Sequence, residues 1–114
     1  MDKETRISRS TEGDVAILTV AGDITGFSEN DLAQAHKEVL EQGLGKLILS
    51  LEGVDYINSA GIAVFIDLFM RSEQHAQKVA ICGLKPYFRK IFKMVGLTKF
   101  TALYTTKEEA IESF

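Results

Sequence analysis

Asn58 and Ser59 stand where an apolar run gives way to a helical pattern, a place that can present a hydroxyl to an approaching reactant. The run Leu47-Ile48-Leu49-Ser50-Leu51 suits a strand buried on both faces, and Ile62, Phe65, Ile66 and Phe69 then recur at helical spacing. Between them Glu52-Gly53-Val54-Asp55-Tyr56 reads as a polar step into Ile57-Asn58-Ser59-Ala60-Gly61-Ile62. Asn58 or Ser59 can cap the new helix by accepting a hydrogen bond from an unpaired backbone N–H, while Ala60 and Gly61 keep the first turn low and open. A hydroxyl there lies near the positive end of a helix dipole. By residue type alone, a serine at a helix start is most often a simple cap. Nucleophilic catalysis would need an activating base, and no histidine is tied to Ser59 by pattern, nor is the serine framed by the glycines of a hydrolase elbow. Ser59 reads as a group acted upon, and the chain is expected not to be an enzyme.

The other reactive side chains form weaker patterns. His36 and His75 stand alone on polar helix faces, without a cysteine or second histidine at ligand spacing, so both are expected to be solvated and no metal site is expected. Lys85, Arg89, Lys90 and Lys93 put positive charge on one helix that could meet a phosphate or an acidic partner, although such charges usually form a solvent face. Gly22-Asp23-Ile24-Thr25-Gly26 is a glycine-flanked loop that lacks both the phosphate cradle and the dinucleotide fingerprint, and no cofactor is expected. The single cysteine, Cys82, lies in an apolar strand, which suits a small core residue and a reducing cytoplasm. A formal net charge of −3 disfavours nucleic acid and anionic membranes as partners. No apolar stretch follows Met1, so neither a signal peptide nor membrane insertion is expected.

These groups must be positioned by a small core. The 114 residues, 46% of them apolar, suit a single domain spanning 1–114. The element order reads strand, strand, helix, strand, helix, strand, helix, strand, helix. A weak strand around Thr5 to Ser10 and a strong one from Val15 to Ala21 flank the turn Glu12-Gly13-Asp14, which predicts an antiparallel hairpin. Ser28 with Asp31 resembles a capping box for a helix carrying Leu32, Ala35, Val39 and Leu40, closed by Gly43 or Gly45. Pro86 suits a first helical turn, Phe88, Ile91, Phe92 and Val95 form that helix's apolar stripe, and Gly96 stops it; Thr106 and Glu109 open a short final helix. Strands alternating with helices require parallel crossovers, so the expected fold is α/β, with a mixed, mostly parallel sheet and about four packed helices. The helix after Ser59 is more apolar than a surface helix needs, since Val64 and Leu68 widen the arc of Ile62, Phe65, Ile66, Phe69 and Met70. That surplus is either buried against neighbouring helices or offered to a partner.

Taken together, Ile57-Asn58-Ser59-Ala60-Gly61-Ile62, Val79-Ala80-Ile81-Cys82-Gly83-Leu84 and Ile91-Phe92-Lys93-Met94-Val95-Gly96-Leu97 resemble the STAS family, the domain of bacterial anti-sigma factor antagonists and of anion-transporter tails. The resemblance runs from about Val15 to Phe114. It implies that Ser59 is phosphorylated by an anti-sigma factor that is itself a serine kinase using Mg-ATP. The unphosphorylated form would bind that partner and free a sigma factor, and a serine phosphatase would reset the cycle. The implied contact surface is Asn58, Ser59, Ala60, Gly61, Ile62 and Ala63. Many members carry aspartate where Asn58 stands here, and an acidic residue where Thr25 stands. Two other functions remain open within the resemblance: a scaffold subunit of a lipid-transport complex, and a small-molecule or nucleotide-binding module.

Overall fold

The computed structural model describes residues 4–114. Strands β1 (Arg6–Glu12) and β2 (Val15–Ile24) pair antiparallel across the Gly13-Asp14 turn, with Glu12 opposite Val15 and Arg6 opposite Ala21. A 3-10 turn (Gly26–Ser28) leads into helix α1 (Glu29–Glu41), followed by β3 (Lys46–Ile57), α2 (Ser59–Gln74), β4 (Lys78–Cys82) and α3 (Pro86–Met94). A second 3-10 turn (Leu97–Lys99), β5 (Ala102–Tyr104) and α4 (Lys107–Glu112) complete the described elements. The sheet order is β1-β2-β3-β4-β5, and every pair after the first is parallel. This is the expected mixed α/β architecture with an N-terminal hairpin.

Alternation along the strands divides the core between the two sheet faces. Ala16, Leu18, Val20, Leu47, Leu49 and Ile81 face α1, α2 and α3, where they meet Leu32, Val39, Phe65, Phe69, Phe88 and Phe92. The Phe65 and Phe92 rings meet edge-on with centroids 5.5 Å apart, locking α2 to α3. Val15, Ile17, Ile48, Ala80 and Cys82 face the other way and are covered by Ala110, Ile111 and Phe114.

Two strands outrun their apolar patterns. Gly22, Asp23 and Ile24, expected in a loop, extend β2, and residues 52–56, expected as a polar step, extend β3 together with Ile57. The pairing of β2 with β3 passes through two register shifts, between Thr19 and Ala21 and between Gly22 and Asp23. Such irregularities break the two-residue alternation, so Leu51, Val54 and Ile57 are buried at intervals of three. Strand pairing continues to Ile24 and Ile57, where α2 begins.

Helix ends follow the sequence with one exception. Pro86 opens α3, and Gly96 takes the left-handed conformation (φ 81°) just beyond it. Thr106 Oγ1 accepts the Glu109 N–H and its hydroxyl donates to the Glu109 carboxylate, each at 3.2 Å. The Ser28–Asp31 capping box does not form. Ser28 is buried and its Oγ accepts the Thr25 N–H at 2.9 Å, while Thr25 Oγ1 accepts the Phe27 N–H at 3.2 Å. The reciprocal box therefore belongs to the 3-10 turn before α1, with Ser28 at its end.

Candidate functional site

Ser59 is the first residue of α2, exposed, and held at the C-terminal ends of β2 and β3 by its neighbours. The Asn58 N–H donates to the Ile24 carbonyl at 3.2 Å, which fixes the turn onto the end of β2. Asn58 Oδ1 accepts the Gly61 N–H at 2.8 Å, so asparagine supplies the cap. Of the two capping candidates, Asn58 does the work and Ser59 does not. No hydrogen bond engages the Ser59 hydroxyl among the described residues.

Gly61, expected among the contact residues, is buried. A Cβ at this position would overlap the Ile24 carbonyl, so glycine lets α2 begin directly against β2. Its part is to seat the helix. Ser59, Ala60 and Ala63 are exposed, Asn58 and Ile62 half-buried, and these five form a continuous outer surface of the first turns.

Two features flank that surface, and neither was singled out by residue pattern. On one side the 3-10 turn brings Gly26 against Ala60 and leaves Phe27 95% exposed, although the Thr25–Ser28 box fixes its backbone. On the other side an open groove of about 460 Å³ runs between α2 and α3, bounded by Tyr56, Ser59, Ile62, Tyr87, Ile91 and Val95. Val95, expected in the buried stripe of α3, is 53% exposed on this groove, because it lies past the last turn of the helix. No carboxylate, imidazole or amine lines the groove, so it offers the Ser59 hydroxyl no general base. The surplus apolar face of α2 is divided: Val64, Phe65, Leu68 and Phe69 are buried, whereas Ile66 and Met70 face outward.

The histidines separate. His75 is exposed, and its Nδ1 lies 2.9 Å from the Arg71 carbonyl at the end of α2. His36, expected to be solvated, is fully buried between α1 and α2. Its Nε2 lies 2.8 Å from Gln77 Oε1 and 3.0 Å from Ser72 Oγ; the Ser72 hydroxyl donates to Gln77 Oε1 at 2.9 Å, and the Gln77 amide donates to the Leu44 carbonyl at 2.9 Å. The network is satisfied with the proton on Nε2, leaving buried Nδ1 without a partner among the described residues. Burial pushes the His36 pKa down, against the Gln77 hydrogen bond and with the help of nearby Arg71 and His75. Burial likewise raises the Cys82 thiol.

Among the described residues no group of histidine, cysteine and carboxylate side chains could hold a metal ion. No described helix is long and apolar enough to cross a membrane.

The topology is that of a known family. The STAS domain model matches residues 6–110, and the chain belongs to that family. BtrV of Bordetella bronchiseptica, provisionally assigned as an anti-sigma factor antagonist, is 28% identical over 98 residues, covering 86% of this chain and 84% of that one. An anti-sigma factor antagonist from Mycobacterium paratuberculosis superposes with a TM-score of 0.84 at 20% identity, over 96% of this chain and 93% of that one. The unphosphorylated form of the anti-sigma factor antagonist SpoIIAA gives 0.78 at 17% identity over 95% of each chain, and the phosphorylated form of Bacillus SpoIIAA gives 0.72 at 18%, over 96% of this chain and 98% of that one.

Proposed function

We propose that this protein is an anti-sigma factor antagonist: a non-enzymatic regulator whose Ser59 is phosphorylated by an anti-sigma factor acting as a serine kinase with Mg-ATP. Unphosphorylated, it binds that partner and releases a sigma factor; a serine phosphatase restores this state. The observation that carries the reading is the division of labour at the start of α2. Asn58 supplies the cap, which leaves the exposed Ser59 hydroxyl with no structural duty. The relatives named as anti-sigma factor antagonists, one of them known in a phosphorylated form, support the same reading.

In the transfer, Ser59 Oγ bonds to the γ-phosphorus of ATP while the bond from that phosphorus to the bridging oxygen breaks. ADP leaves with the electron pair, and the hydroxyl proton passes to a base of the kinase. The product carries about −1.5 to −2 charges at the N-terminus of a 16-residue helix, whose dipole favours them. A partner surface fitted to a neutral hydroxyl and the small side chains of Ala60 and Ala63 does not accommodate them, because desolvating phosphate without new donors is costly. Release then needs no refolding of the domain.

The test is incubation with the purified partner kinase and Mg-ATP, followed by mass spectrometry. Phosphate is expected on Ser59 and lost in Ser59→Ala; incorporation on Ser50 or Thr25 instead overturns the assignment. Ala63→Arg, at an exposed position, should weaken partner binding at least about tenfold while moving the melting temperature by no more than a few degrees.

A further inference from the structure

The groove beside Ser59 is walled by the most one-sidedly charged helix of the chain. Helix α3 carries Arg89, Lys90 and Lys93 and no acidic residue, although the whole protein has a formal net charge of −3. Lys85, just before it, is held by Asp55 at 2.7 Å, whereas no ion pair engages Arg89, Lys90 or Lys93 among the described residues. At about 100° per residue, Tyr87 and Ile91 share the groove side of α3, Lys90 and Met94 follow around its outer edge, and Arg89 and Lys93 lie beyond. Tyr87 is 68% exposed and Met94 84%. An apolar depression with tyrosines on its walls, and with Lys90 beside Tyr87 on the outer edge of α3, is thus continuous with the proposed phosphoacceptor.

We infer that this groove receives an apolar side chain from an acidic segment of the kinase that phosphorylates Ser59, so that α3 selects which kinase reaches the hydroxyl. The inference rests on the proposed function and adds the chemistry of the partner. Burial of an aromatic or aliphatic side chain between Tyr56 and Tyr87 would slow dissociation, as central apolar anchors do. Lys90, with Arg89 and Lys93 further round the helix, would act chiefly on encounter, since exposed charges steer approach and are screened by salt. A basic or neutral kinase surface would lack the second contribution.

The probe is the purified kinase that labels wild-type Ser59 from Mg-ATP, and the readout is KM for this protein measured separately from kcat. Tyr87→Ala and Lys90→Glu are each expected to raise KM about tenfold with less than a twofold change in kcat, while Tyr87→Phe and Lys90→Arg stay within about twofold of wild type. KM of the wild type should rise on going from low salt to about 0.15 M, and that of Lys90→Glu should rise less. Both side chains being exposed, circular dichroism of the variants should match wild type. Unchanged KM in Tyr87→Ala and Lys90→Glu, with Ser59 still labelled, overturns the inference and leaves the phosphoacceptor in place. A wild-type homodimer that Tyr87→Ala dissociates overturns it as well, assigning the groove to a second copy of the chain. Failure of any kinase partner to label wild-type Ser59 overturns both readings together.

Discussion

Asn58 and Ser59 are both good capping residues by type, so composition could not divide the work between them, and only the 2.8 Å contact from Gly61 to Asn58 does. The division has an energetic signature. Asn58→Ala should lower stability in urea by about 1 kcal/mol, within the usual 0.5–2 kcal/mol for a lost cap, and Ser59→Ala should change it by less than about 0.5 kcal/mol. His36 is the residue that pattern reading placed wrongly. A signal was available: it stands four residues after Leu32 and three before Val39, on the buried side of α1, and a polar side chain there has to find partners within the fold. Its consequence is a pH dependence. The folded state holds the His36 pKa below 6.5 and the unfolded state does not, so the unfolded chain binds more protons as the solution becomes acidic. This contribution to stability is complete above about pH 6.5 and is lost as pH falls from there through the folded pKa. Urea midpoints measured across this range should therefore decline toward acid in the wild type and decline less in His36→Gln.

The seat of α2 shows how elements were legible and where they were not. Strand and helix order, the hairpin, the parallel crossovers and the ends of α3 and α4 follow from apolar periodicity, proline, glycine and capping residues. The extensions of β2 and β3 do not, because two register shifts replace the alternation that marks a half-buried strand. The 3-10 turn was hidden for a related reason: Ser28 satisfies Thr25 behind it rather than the helix in front. Those hidden pieces hold the candidate site in place, with Ile24 beneath Gly61 and Gly26 against Ala60. Gly61→Ala should consequently be severe for so small a change, costing more than about 2 kcal/mol, since the obstacle is the backbone carbonyl of Ile24 and not a side chain that can turn aside. Thermal unfolding of the purified variant measures this, and a melting temperature within about a degree of wild type would contradict the close packing.

At the scale of the molecule the two sheet faces are unequally protected. Three helices close one face, while α4, only six residues long, covers Cys82 and its neighbours on the other. Short helices have little intrinsic stability, so α4 is the element expected to open first. The Cys82 thiol, buried and with its pKa raised, reports on that opening. Alkylation of native protein should be slow, and Ala110→Asp, which puts a charge into the seam, should speed it at least about tenfold while the far-ultraviolet spectrum remains largely native. Equal rates in both would show that the thiol is reached by another route. The sheet has a further property: the spatial order of its strands repeats their order along the chain. Each strand pairs with the one made just before it, and none has to be threaded between two already joined. A chain leaving the ribosome can therefore add its units in sequence, each closing only a short loop. In that order the turn bearing Ser59 takes shape with β3 and α2, and the basic wall of α3 arrives only afterwards, so the proposed acceptor is built before the element proposed to choose its kinase.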